Sequence, residues 1–134
     1  MTGRIQRGML DTRAVIDLPA LDPARLPVEV AIPAVVLAEL AQGVAMTKSA
    51  EQVMIRSQRL ADIEAAFAAV PFDREAARRY GTLVALTIAG NRDPRPRRVD
   101  LMIAATAAAN GLPLFTRNAD DFRGLDSAVT VITI

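Results

Sequence analysis

The segment Arg97–Phe122 constrains the fold most, because it predicts a helix, a tight exit, a buried strand and an acidic turn in direct succession. The run Leu101–Ala109 consists almost entirely of helix-forming residues. Asn110-Gly111 then supplies the left-handed conformation that favours a helix C-terminus. The apolar run Leu112–Thr116 is typical of a buried parallel strand. Ligands bind beyond the carboxyl ends of strands in open α/β sheets, so the polar residues after this run mark a candidate site.

The rest of the chain alternates between predicted strands and helices. Strands are predicted at Ile5–Leu10, Val28–Ile32, Val70–Phe72 and Val129–Ile134. Helices are predicted at Ala14–Leu18, Pro33–Met46, Ser49–Ala69 and Arg74–Ile88, the first capped by Thr12 and the last by Asp73. This alternation predicts an α/β fold: one domain over residues 1–134, with three α/β/α layers around a central parallel sheet of four to five strands. Right-handed crossovers would bring Asp11 and Thr116 to one edge of the sheet.

Two residue types are missing from the chain, and their absence narrows its chemistry. The sequence contains no Cys, which excludes disulfides, thiol nucleophiles and thiolate zinc sites. It also contains no His, which excludes a Ser-His-Asp triad and imidazole metal ligands. Any metal chemistry must therefore depend on oxygen ligands, which favour Mg²⁺ or Mn²⁺.

The charge and hydropathy of the chain point to a non-membrane protein with a partner. The net charge is only +1, so a basic binding surface would require local segregation of charge. Hydrophobic residues make up 51% of the chain, which favours an apolar face reserved for another molecule. No apolar run reaches the length of a membrane span, and Met1–Arg7 lacks the apolar core of a signal peptide. We expect a cytoplasmic protein.

Carboxylates at strand ends and on helices are the candidate chemical groups. Asp11 follows the first strand, Glu39 lies in a sparsely charged helix, and Asp100 precedes an apolar helical run. Asp120 and Asp121 follow the strand that ends at Thr116. Each alone equally suits a helix cap, an exposed helix surface or a solvated turn. Together they suggest a metal site, because two carboxylates ~4 Å apart repel by ~4 kcal/mol at an effective dielectric of 20 and require neutralisation.

A basic, proline-containing loop leads directly into Asp100. Its cations are Arg92, Arg95, Arg97 and Arg98, and Pro94 and Pro96 are expected to hold the loop extended. The loop suits contact with an RNA backbone next to a cleavage site, and equally suits a solvated surface. Arg74, Arg78 and Arg79 on the preceding helix could extend the patch. With four Phe, one Tyr and no Trp, recognition of RNA by shape and phosphates is expected rather than base stacking.

Four motifs carry a resemblance to a known family. They are MLDT at 9–12, VVLAEL at 35–40, VDLMIAATA at 99–107 and LFTRNADDF at 114–122. In order and spacing they resemble the PIN-domain family, and more narrowly the VapC-type ribonuclease toxins of bacterial toxin–antitoxin pairs. The resemblance covers nearly the whole chain and implies a PIN-like fold.

The resemblance also implies a set of functional residues. Asp11, Glu39 and Asp100 would be the principal acidic residues that bind Mg²⁺ or Mn²⁺ for catalysis. Some family members carry Asp where this chain has Asn118, so the fourth carboxylate is expected from Asp121 or Asp120, with Asp121 preferred. Thr12 and Thr116 match small hydroxyl positions near the metal, and together with Asn118, Arg97 and Arg98 they are the predicted substrate-binding residues. Arg13 departs from the family pattern, in which Ser or Asn commonly follows the Leu-Asp-Thr motif.

The implied function is a metal-dependent endoribonuclease toxin that cleaves tRNA or rRNA, is inhibited by a cognate antitoxin and forms a homodimer. The helix predicted at 49–69 has Val53, Leu60 and Phe67 at heptad spacing, with Ile63 and Val70 on the adjoining track. This stripe is expected to be core, and a groove for an antitoxin helix is the sharper alternative. Two other functions stay open: a PIN-like RNA-binding or interaction module without turnover, and a carboxylate-based phosphatase or nucleotide hydrolase.

Overall fold

The computed structural model describes residues 3–134, and its centre is a five-stranded parallel sheet with helices on both faces. The strands are β1 (Arg7–Leu10), β2 (Glu29–Pro33), β3 (Ala69–Val70), β4 (Leu114–Thr116) and β5 (Val131–Thr133), in the order β3-β2-β1-β4-β5. Each neighbouring pair is parallel. The predicted three-layer α/β/α class is confirmed. The first two residues of the predicted domain lie outside the described residues.

In the described part of the chain, five α-helices connect these strands. They are α1 (Thr12–Ile16), α2 (Ala34–Met46), α3 (Ala50–Ala66), α4 (Arg74–Ala89) and α5 (Arg98–Ala109). Short 3₁₀ turns lie at Leu18–Ala20, Pro23–Arg25, Arg95–Arg97 and Ala119–Phe122. Within residues 3–134, no helix combines the length and the apolar character needed to cross a membrane.

Strand β1 lies at the middle of the sheet and determines where a ligand can bind. Its Met9 and Leu10 side chains are fully buried. The chain proceeds outward from β1 to β2 and β3, and then returns across the sheet to β4 on the other side of β1. The carboxyl ends of β1 and β4 therefore border the crevice in which open α/β sheets bind ligands.

Helix α5 packs tightly because its buried face carries small side chains. Ala104, Ala105 and Ala107 are fully buried and let the helix approach its neighbours closely. The helix closes as predicted, with Gly111 at φ 63°. The backbone N–H of Leu112 bonds the Ala107 carbonyl at 3.0 Å, so this residue completes the helix end.

Several predicted boundaries were wrong for identifiable reasons. Strand β4 starts at Leu114 rather than Leu112, because Leu112 is bonded back to the helix and Pro113 has no N–H to donate. Strand β3 occupies Ala69–Val70 rather than 70–72, since Pro71 again lacks a donor. Helix α1 begins at Thr12, and its cap is Asp11 rather than Thr12.

The stripe predicted on the third helix is only partly core. Ile63 is buried, and Leu60, Phe67 and Val70 pack against the core cluster. Val53 lies outside it with 36% of its surface exposed, and the adjacent Met54 and Ile55 are exposed as well. The N-terminal part of α3 therefore presents apolar side chains to solvent.

Gly8 and Gly81 provide a test of the packing with opposite expected signs. A Cβ at Gly8, in β1, would overlap the buried ring of Phe115, so Gly8→Ala should destabilise the fold by about 1–3 kcal/mol. Gly81 lies inside α4 with nothing within 4 Å of the added Cβ, so Gly81→Ala should stabilise by about 0.5–1 kcal/mol. Urea unfolding of both variants measures this. Equal stabilities for the two would contradict the packing of β1 against Phe115.

Candidate active site

Asp11 links the first strand to the crevice. It follows β1 directly, and only 6% of its surface is exposed. One carboxylate oxygen accepts the backbone N–H of Ala14 at 3.0 Å, and the other accepts the Thr116 hydroxyl at 2.5 Å. Burial raises the pKa of Asp11 and so does the charge of Asp121, while the hydrogen bonds from Thr116 and Ala14 act in the opposite direction. The predicted meeting of Asp11 and Thr116 at one edge of the sheet is confirmed.

Asp100 lies in the first turn of α5, where burial and neighbouring charges shift its pKa. The pKa is raised from 3.8 to about 6. Burial is the largest cause, followed by the negative charges of Asp121, Glu39 and Asp11, and the Arg97 guanidinium lowers it. Asp11, Glu39, Asp100 and Asp121 therefore form an acidic cluster, in which every other member disfavours ionisation of Asp100.

Glu39 reaches this acidic cluster from α2. Val36 and Leu40, on either side of it along the helix, are buried in the core. The half-buried Glu39 carboxylate accepts a hydrogen bond from the Thr12 hydroxyl at the start of α1. Thr12 therefore orients Glu39 instead of capping its own helix.

The acidic turn after β4 separates the roles of its two aspartates. Asp120 points outward, with a carboxylate oxygen 3.1 Å from Arg123 and another 3.7 Å from Arg92. Asp121 acts on Asp11 and Asp100 through its charge and accepts the Asn118 side-chain amide at 3.2 Å. Of the two aspartates named from the sequence, Asp121 is therefore the one whose charge acts on Asp11 and Asp100.

Asn118 and Thr116 hold this turn in place. The Asn118 backbone N–H donates to the Thr116 hydroxyl oxygen at 3.0 Å, while that hydroxyl donates to Asp11. On the far side, Arg92 donates to the Asp120 carbonyl at 2.8 Å. Asn118 therefore lies beside the acidic cluster, where its neutral amide donates to Asp121.

The described part of the chain contains no preformed metal-binding arrangement of acidic side chains: no three of them are arranged to hold a metal ion as they stand. Three of the four carboxylates accept hydrogen bonds from separate donors, namely Asp11 from Ala14 and Thr116, Glu39 from Thr12, and Asp121 from Asn118. The donor set itself, four carboxylates with no nitrogen or sulfur ligand, has the chemistry that Mg²⁺ and Mn²⁺ prefer.

The predicted basic loop is folded differently from the expectation. Pro94 is helical and Arg95–Arg97 forms a 3₁₀ turn, so the prolines do not hold the loop extended. Arg95 pairs with Asp93 at 3.1 Å, and Arg92 is engaged with Asp120. Arg97, which donates to the Asp93 carbonyl at 3.1 Å, is the cation of this loop that acts on Asp100. Exposed Arg98 begins α5, and Arg78 and Arg79 pair with Glu75 on α4.

Arg13 does not enter the acidic cluster. It pairs with Asp17 at 2.9 Å, and Arg117 pairs with the same carboxylate oxygen at 2.9 Å. These two arginines lower the pKa of Asp17, against the raising effect of its desolvation. The departure from the family pattern at position 13 therefore adds no ion pair to the acidic cluster.

Sequence reasoning missed two arginines near the site. Arg56 and Arg59 line a cleft of about 320 Å³ that also contains Thr12, Arg13 and Glu39. Their i, i+3 spacing on α3 places them on one helix face, but nothing in the sequence places that face beside Glu39.

Comparison with known proteins gives the same family as the motifs. The PIN-domain family model matches residues 9–127. Ribonuclease VapC5 of Mycobacterium tuberculosis is 41% identical over 130 residues, which cover 92% of this chain and 91% of the relative.

Solved structures share the fold over almost the whole chain. The structure of VapBC-5, a member of the VapBC family of toxin–antitoxin systems from Mycobacterium tuberculosis, matches with TM-score 0.81 and 36% identity, over 96% of this chain and 97% of that one. VapBC2 from Rickettsia felis, bound to a DNA fragment from its promoter, matches in fold with TM-score 0.78 and 22% identity, over 96% and 99%. The chain therefore belongs to the PIN-domain family, and within that family it is of the VapC type.

Proposed function

We propose that the chain is a divalent-metal-dependent endoribonuclease and the toxin of a toxin–antitoxin pair. The observation that carries the proposal is the acidic cluster itself: Asp100 is partly buried among the carboxylates of Asp11, Glu39 and Asp121, and burial together with these three charges raises its pKa to about 6. Such an arrangement is costly for a protein that only binds, because each ionised carboxylate destabilises the others. The similarity to a VapC ribonuclease supports RNA as the substrate.

Asp11, Glu39, Asp100 and Asp121 would hold Mg²⁺ or Mn²⁺. Asp121 would exchange its hydrogen bond from the Asn118 amide for a contact with the ion. When bound, such an ion lowers the pKa of a water and neutralises charge on the scissile phosphate. With a metal-activated water as the nucleophile, the chain could hydrolyse RNA although it contains no histidine to act as a base.

The neighbouring polar residues position these groups and the RNA. The Thr116 hydroxyl fixes the direction of Asp11, and Thr12 does the same for Glu39. The Arg97 guanidinium, which stabilises ionised Asp100, lies next to the cluster and would bind the substrate backbone there. Arg98 at the start of α5 and the Asn118 amide would add contacts to the same RNA strand.

An antitoxin would cover the exposed apolar side chains of α2 and α3. Met46, Met54 and Ile55 expose 70%, 74% and 44% of their surfaces, a costly arrangement unless another molecule buries them. The similar structure from Mycobacterium tuberculosis is of a toxin–antitoxin system, which supports a partner protein. A homodimer is the assembly that the family resemblance implies. Light scattering would test it, because a dimer should have twice the molar mass of one chain.

Asp121→Asn and Asp120→Asn form a matched pair for testing catalysis. Both remove one negative charge from the same turn, but only Asp121 belongs to the acidic cluster. Asp121→Asn should lower metal-dependent cleavage of tRNA or rRNA at least about 100-fold, whereas Asp120→Asn should stay within about tenfold of wild type. Sequencing of RNA ends should show 5′-phosphates, because we expect water to attack the phosphorus and the P–O3′ bond to break, with the 3′-oxygen leaving as a hydroxyl.

The two alternative functions give different results in the same assay. RNA binding by wild type without cleavage in either Mg²⁺ or Mn²⁺ would overturn the nuclease proposal in favour of a binding module. Release of phosphate from small phosphoesters, with RNA left intact, would indicate a phosphatase.

Asp100→Asn should stabilise the metal-free protein while it abolishes cleavage. The pKa of Asp100 is higher in the folded state than its ordinary value of 3.8, so the protonated carboxyl group favours folding and the ionised one opposes it. The stability that protonated Asp100 contributes at low pH is therefore lost as pH rises from about 4 to about 6. At pH 7 in EDTA the variant should be more stable than wild type by on the order of 1–3 kcal/mol, and below pH 4 the difference should disappear.

Urea unfolding across pH measures this difference, with Asp126→Asn as the control. Asp126 is an exposed aspartate near the C-terminus, so the same change in charge should have little effect there. If metal-free Asp100→Asn were less stable than wild type at pH 7, the ionised Asp100 carboxylate would not be destabilised by burial and by the neighbouring negative charges.

A further inference from the structure

The cleft beside Glu39 is cationic, although it opens next to the acidic cluster. Helices α1, α2 and α3 enclose about 320 Å³ of space, lined by Arg13, Arg56 and Arg59. Its other polar lining residues are Glu39 and Thr12, and Ile16, Leu40 and Gly43 form the rest of its surface. Three guanidinium groups thus border a space whose only acidic lining residue belongs to the acidic cluster.

Contacts within the protein hold two of these arginines in position. Arg56 reaches from α3 to donate to the Gly43 carbonyl of α2 at 2.8 Å, a bond that uses one of its five N–H groups. Arg13 is held at the cleft by its pair with Asp17. Arg59 follows Arg56 by one turn on the same face of α3. Positioned guanidinium groups bind phosphate with little loss of side-chain freedom.

The charges around the acidic cluster suggest a path for the substrate. An RNA backbone that approaches four carboxylates is repelled, and cations on either side of the cluster would offset that repulsion. Arg97 lies on the α5 side, while the cleft lies on the side of α1, α2 and α3. We propose that this cleft binds the RNA phosphate adjacent to the scissile one, an assignment that rests on the proposed nuclease function.

The size of the cleft also favours a single charged group. A space of about 320 Å³ lies at the small end of ligand sites and suits a phosphate with its sugar better than a helix of a partner protein. An acidic side chain of an antitoxin is the competing occupant, since it would meet the same guanidinium groups. RNA is favoured because Glu39 and Thr12 make the cleft continuous with the candidate catalytic centre.

The test measures RNA binding without cleavage. In the Asp100→Asn background, the affinity for a labelled single-stranded RNA is measured against salt concentration, with and without Arg56→Gln and Arg59→Gln. The slope of log K against log salt should become shallower by about 0.7 for each phosphate that the protein no longer neutralises. Arg7→Gln is the matched control, because it removes the same charge at the opposite end of β1 and should leave the slope unchanged.

Each result distinguishes the cleft from the nuclease proposal. A shallower slope for the α3 variants alone supports phosphate binding in the cleft, whether or not wild type cleaves RNA. An unchanged slope, with wild type cleaving normally, overturns the cleft assignment and leaves the nuclease intact. An unchanged slope with weakened antitoxin binding also overturns it and assigns the cleft to the partner. Folding of each variant is checked by urea unfolding.

Discussion

The hydrogen bond from the Thr116 hydroxyl to Asp11 is the interaction on which the site depends. It joins residues 105 positions apart at the carboxyl ends of neighbouring parallel strands. The same hydroxyl accepts the Asn118 N–H, and the Asn118 amide donates to Asp121. The turn that carries Asp121 is thereby fixed relative to Asp11. Core packing of β1 and β4 places Asp11 and Thr116 within reach, so the buried sheet determines the geometry of the polar groups.

The fold was predictable where short-range rules govern it, and less so where contacts between elements decide. Alternating strand and helix signals gave the parallel sheet, and Asn110-Gly111 gave the end of α5. Strand ends were misplaced at Pro71 and Pro113, because a strand as short as β3 or β4 is defined by its hydrogen bonds rather than its apolar residues. These errors do not move the site, which follows from the carboxyl ends of β1 and β4.

The candidate site divides in the same way. Motifs in the sequence indicated Asp11, Glu39 and Asp100 and gave a preference for Asp121 over Asp120, but the different surroundings of the two aspartates are visible only in the structure. The cationic cleft was not predictable either, because Arg56 and Arg59 come near Glu39 only through the packing of α3 on α2. Residues that act through a neighbouring element carry no local sequence signal.

The distribution of ion pairs supports the proposal that the acidic cluster binds a divalent cation. Asp17, Asp93 and Asp120 each lie within 4 Å of an arginine nitrogen, whereas no such pair involves a member of the acidic cluster among residues 3–134. Arg13 and Arg117 both bind Asp17 although they lie near Asp11 and Thr116 in the sequence. With sixteen Lys and Arg residues in the chain, an internal partner would be easy to supply. Burial and neighbouring carboxylates raise the pKa values of Asp11 and Asp100, and the divalent ion that we propose would relieve this repulsion.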